Sequence, residues 1–88
     1  MKVIDNAGRT FDVFHVGFED PPEWMLGLHA IKRLQMDFAN EFCTSVELFD
    51  EDLEEYKAKY GDYVLADDEC NLRVCSEENL LGQYKEVV

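Results

Sequence analysis

The segment DPPEWMLGLHAIKRLQMDFANEF, residues 20–42, decides the fold, because its apolar residues return at helical spacing. Trp24, Leu28, Ile31, Leu34 or Gln35, Phe38 and Phe42 recur at three- and four-residue steps. That spacing predicts an amphipathic helix of about 18–20 residues with one wide apolar face. Asp20 stands where an N-cap belongs and Pro21 suits the first helical position. Glu23, three residues after Asp20, completes a capping box. Gly27 weakens the first turns by roughly 1 kcal/mol relative to Ala, which points to close packing there.

Upstream, Lys2–Asp5 and Thr10–Phe18 read as a hairpin around Asn6-Ala7-Gly8-Arg9, where Asn and Gly accept positive φ. The second of these strands sets Phe14, Val16 and Phe18 on one face and Phe11, Val13 and His15 on the other. Both faces are apolar, so the strand is expected to be covered on both sides.

Downstream, Thr44–Phe49 alternates with Val46 and Leu48 inward, a short strand. Asp50 then caps a second helix running to Tyr60, with Leu53, Tyr56 and Tyr60 on one face and Gly61 at the left-handed stop. Tyr63–Ala66 and Asn71–Cys75 form a last hairpin across Asp67-Asp68-Glu69. Ser76 caps a single turn, Glu77–Leu81, ended by Gly82, and the tail 83–88 reads as strand or frayed end. The order β-β-α-β-α-β-β predicts the α+β class. It gives a small single domain over residues 1–88, a mostly antiparallel sheet packed against one long and one shorter helix.

Eighty-eight residues hold one ordinary domain, and 47% apolar content with six Phe, four Tyr and one Trp supplies a core without staples. No stretch has the length and apolarity of a signal peptide or a membrane span. Three cysteines, Cys43, Cys70 and Cys75, are an odd number and point to free thiols in a reducing compartment, hence a cytoplasmic location in the producing or host cell. A Cys70–Cys75 bridge across the short hairpin is the alternative.

Twenty acids against eight bases give a net charge of −12. That charge argues against direct binding to nucleic acid or to an anionic membrane, and selects a basic partner. The acids concentrate between Asp37 and Glu69: Asp37, Glu41, Glu47, Asp50, Glu51, Asp52, Glu54, Glu55, Asp62, Asp67, Asp68 and Glu69, against Lys57 and Lys59 alone. This window carries ten of the twelve net negative charges.

Part of the concentration has a local cause. Acids at a helix cap and first turn complement the macrodipole by about 0.3–1 kcal/mol each, and an acidic turn is well solvated. The Asp50/Glu54 and Glu51/Glu55 pairs need more, since like charges at i,i+4 cost about 0.2–0.5 kcal/mol. Residues four apart on a helix rise about 6 Å. Successive phosphates of an extended backbone lie roughly 7 Å apart, estimated from the strand's rise and winding. The window is therefore expected to bind a basic surface, with the nucleic-acid site of an enzyme engaged by mimicry and Tyr56 interleaved. A phage-encoded inhibitor of a host or defence system fits this size and charge. The alternatives are an immunity- or antitoxin-like protein neutralising a basic toxin, and a homodimer using Trp24 and an apolar helix face.

No catalytic set is expected. Cys70-x4-Cys75 is a poor zinc signature, and neither CxxC nor HxxxH spacing occurs. Asp50-x-Asp52-x-Glu54 opens like a calcium loop but has Glu55 where Gly is required and Gly61 where Glu is required. Cys43 reads as core, and His15 and His29 as a strand residue and a helix-face residue. No metal or cofactor site is expected.

Overall fold

The computed structural model describes residues 2–49 and 57–87 of the chain. β1 (Lys2–Asp5) and β2 (Thr10–His15) form the expected hairpin, with Val3 opposite Phe11. Asp5 holds its turn: Oδ1 accepts the N–H groups of Ala7 and Arg9, both at 2.9 Å.

The expected long helix is a correction. α1 spans only Glu23–Ala30, and the rest of the segment is a hairpin of β3 (Leu34–Ala39) and β4 (Phe42–Leu48). Asp20 is not the cap: Pro22 occupies the N-cap position in extended conformation and no side chain caps it. The proline pair explains this, since a residue before proline is pushed out of the α region and Pro21 precedes Pro22.

α1 ends in a Schellman turn without glycine. Lys32 takes φ +62°, its N–H donates to the His29 carbonyl, and Arg33 N–H donates to the Leu28 carbonyl (3.1 and 2.9 Å). The β3–β4 turn is equally tight. Asn40 and Glu41 both have positive φ, 51° and 73°, the requirement of a type I′ two-residue hairpin.

Burial follows from the switch of period. Met25 and Met36, which lie off the expected helical face, are buried, whereas Ile31, Phe38 and Phe42, which lie on it, are exposed. Leu34 and Met36 point inward and Gln35 and Asp37 outward, as in a strand. Gly27 is also a correction, since nothing lies within 4 Å of a Cβ placed there.

β5 (Lys57–Ala58) pairs with β4, Val46 opposite Ala58, so no helix continues through to Tyr60. The remainder of the expected second helix, 50–56, lies outside the described residues. Gly61 does take the left-handed conformation expected of it, φ +91°. β6 (Tyr63–Ala66) and β7 (Leu72–Cys75) form the expected last hairpin. Ser76 Oγ caps α2 (Glu77–Gln83) by accepting Asn79 N–H at 3.3 Å. Gly82 sits within α2 rather than ending it, and the tail continues as β8 (Tyr84–Glu86), paired with β1.

The fold is α+β with antiparallel sheets: five strands in the order β7-β6-β2-β1-β8 and three in the order β3-β4-β5. The five-stranded sheet is covered on both faces. Phe14, Val16, Val64, Ala66 and Leu72 meet the small sheet and α1 through Leu34, Val46, Leu48, Met25 and Leu28. Phe11, Val13, Tyr63 and Leu65 turn the other way, under Leu80 of α2 and the ring of Tyr84. Every residue of β6 is buried, as an inner strand covered on both faces requires. Phe18, expected inward, is 58% exposed, because the strand ends at His15 and the chain turns at Gly17.

Because Gly27 has an ordinary helical environment and open space around it, Gly27→Ala is expected to raise unfolding free energy by about 0.5–1 kcal/mol. Chemical denaturation of the two proteins measures this difference.

Candidate functional site

The described acids of the 37–69 window fall into three places. On the outward face of the small sheet, Asp37 accepts a hydrogen bond from Ser45 Oγ at 2.9 Å, and Glu47 stands in register between Gln35 and Lys57. Glu41 is exposed in the β3–β4 turn.

Asp62 occupies the turn before β6, where its Oδ2 accepts Lys59 N–H at 3.0 Å and its carbonyl accepts Val16 N–H at 2.9 Å. Asp67, Asp68 and Glu69 form the β6–β7 turn. The four residues of β6 separate Asp62 from this turn by roughly 10 Å or more. Asp50, Glu51, Asp52, Glu54, Glu55 and Tyr56 lie outside the described residues.

These acids divide by chemistry as well as position. Asp67 is built into its turn: Oδ1 accepts the N–H groups of Glu69 and Asn71 at 2.9 and 2.8 Å, and Oδ2 accepts Asn71 Nδ2 at 3.0 Å. Those bonds, led by the Asn71 side chain, hold its carboxyl below the ordinary 3.8. Asp68 and Glu69 are exposed and line a shallow groove of about 290 Å³ with Gly8, Arg9 and Thr10 of the neighbouring turn. Among the described residues there are two ion pairs, Lys2–Asp12 and Arg9–Asp5, and neither involves an acid of the window.

An aromatic stack escapes the sequence reading. The His15 ring lies between Phe18 and Tyr63, 4.1 Å from each centroid and within 15° of parallel. Tyr60 joins it at 5.1 Å from Phe18, and a Cβ on Gly17, itself at φ +88°, would run into the Tyr60 ring. The partners come from the loop after β2 and the start of β6, so no local spacing announces them. Burial is the main cause that raises the Tyr63 hydroxyl above its ordinary pKa, reinforced by Glu77 and Glu19. Trp24 is half-buried and packs on the core beneath α1.

The three cysteines are free thiols. Burial pushes the Cys43 and Cys75 thiols up, and Cys43 Sγ donates to the Ser45 carbonyl, so neither favours the reactive thiolate. Among the described residues, no group of three or more His, Cys, Asp or Glu side chains is placed to hold a metal ion. No helix among them is long and apolar enough to cross a membrane.

Two outcomes follow. In the native protein, iodoacetamide at neutral pH is expected to label Cys70 rapidly and Cys43 and Cys75 only after denaturation, read by mass spectrometry. The lowered Asp67 pKa means that its contribution is complete above 3.8 and lost as pH falls through the folded-state value. Asp67→Asn should therefore flatten the decline of Tm below about pH 4 relative to the parent protein.

The chain matches no family model, and comparison with curated proteins and with solved structures finds no match.

Proposed function

We propose that this chain is a small acidic inhibitor or adaptor that engages a basic protein surface, its target being the nucleic-acid-binding site of an enzyme. The observation that carries this reading is the concentration of ten net negative charges between Asp37 and Glu69, with no ion pair to those acids among the described residues. Carboxylates left unpaired in a chain of charge −12 repel one another. Two of them, Asp62 and Asp67, hold turns together. Glu41, Glu47, Asp68 and Glu69 are exposed and accept no hydrogen bond from the described residues, and they remain available to a cationic partner.

A partner held by such contacts binds with strong salt dependence and competes with polyanions. Immobilised protein is expected to capture nucleic-acid-handling proteins from lysate at low ionic strength. Duplex DNA or RNA should displace them, and so should salt raised to about 0.5 M, where the Debye length falls below ~5 Å. Glu51→Lys with Glu55→Lys, or Asp68→Lys with Glu69→Lys, should reduce capture at least tenfold. Capture that resists salt and competitor, and survives both charge reversals, sinks the proposal. Displacement by salt but not by nucleic acid favours the immunity-like alternative over mimicry.

A further inference from the structure

We propose that β3 is a self-pairing edge, through which two copies of this chain join into one continuous antiparallel sheet. The inference is independent of the acidic-interface reading. β3 stands at the end of the order β3-β4-β5, with its other side unpaired among the described residues. The Arg33 carbonyl accepts Phe49 N–H at 3.0 Å, which fixes the pleat. The Arg33 carbonyl and the backbone groups of Gln35 and Asp37 turn towards β4, and those of Leu34 and Met36, before the register shift at Asp37/Phe38, turn outward. Among the described residues, the one partner recorded for these outward groups is the Gln35 side-chain amide, 3.2 Å from the Met36 carbonyl. The strand carries no proline and no lysine, two common means of blunting an edge.

The charge pattern selects the occupant. Residues 32–41 begin with Lys32 and Arg33 and contain Asp37 and Glu41 towards their end, so this stretch is neutral inside a chain of charge −12. Antiparallel pairing about a two-fold axis at Gln35 or Met36 sets Arg33 of each copy against Asp37 of the other, directly opposite or on the near diagonal. Both side chains lie on the outer face by alternation with buried Leu34 and Met36. An axis at Asp37 would oppose two carboxylates, and parallel pairing would set like ends together. The same antiparallel arrangement brings the end of α1 in one copy to the hairpin tip of the other. Ile31 and Phe38, 66% and 52% exposed, then cover each other.

Sedimentation equilibrium of the full chain, from micromolar to millimolar concentration, is expected to show a reversible monomer–dimer equilibrium. Hydrogen exchange at the Leu34 and Met36 amides should slow as concentration rises. Asp37→Arg should weaken association about tenfold or more, and Arg33→Asp combined with Asp37→Arg should restore it. A chain monomeric throughout this range overturns the proposal. So does a dimer indifferent to Asp37→Arg, or a charge swap that fails to restore association. Should Asp37→Arg not fold, concentration-independent exchange at Leu34 and Met36 in the unmodified protein is decisive against it.

Discussion

The structure depends on burying the five-stranded sheet on both faces. β2 and β6 lie side by side within that sheet, and their successive residues serve opposite layers: Phe14 and Val64 towards the small sheet, Phe11 and Leu65 towards α2. Each such side chain contributes about 1.5–3 kcal/mol when fully withdrawn from water. A chain of 88 residues has little interior to spare. Covering one sheet twice makes two apolar layers from the same strands, and that burial opposes the self-repulsion of twelve net negative charges.

The acids divide against that background. Asp5, Asp62 and Asp67 act as local acceptors, each taking backbone N–H groups in its own turn. Such charge-assisted bonds stabilise tight turns between strands that are already paired. Asp68 and Glu69 make no comparable contact among the described residues, and their repulsion is a cost without a local return. This division is what supports a binding role for the window.

The small sheet shows how strongly tertiary context overrides local signals. Lys32, Asn40 and Glu41 adopt positive φ without glycine, at a cost of roughly 1–2 kcal/mol for a residue such as Lys or Glu. Packing of Met25, Leu34, Met36 and Val46 in one cluster repays that strain. The result is a compact helix-hairpin unit that leaves β3 at an edge.

How much was legible depends on whether a segment satisfied one period or two. The β1–β2 and β6–β7 hairpins and the Ser76 cap followed from short apolar runs bounded by turn and capping residues, and the two-sided burial of β2 from apolar residues on both its faces. The acidic window was visible as composition, but its division into turn-forming and unengaged carboxylates was not, because only folded geometry shows which N–H groups a carboxylate meets. In residues 20–42, Leu34 and Phe38 fit a helix at i,i+4 and a strand at i,i+4 alike. Sequence by itself determined the α+β class, the strand pairs with unambiguous turns and the location of the charge. Tertiary structure decided where α1 stops. The β3–β4 hairpin keeps this backbone hydrogen-bonded while seating Leu34 and Met36 in one cluster with Phe14 and Val64.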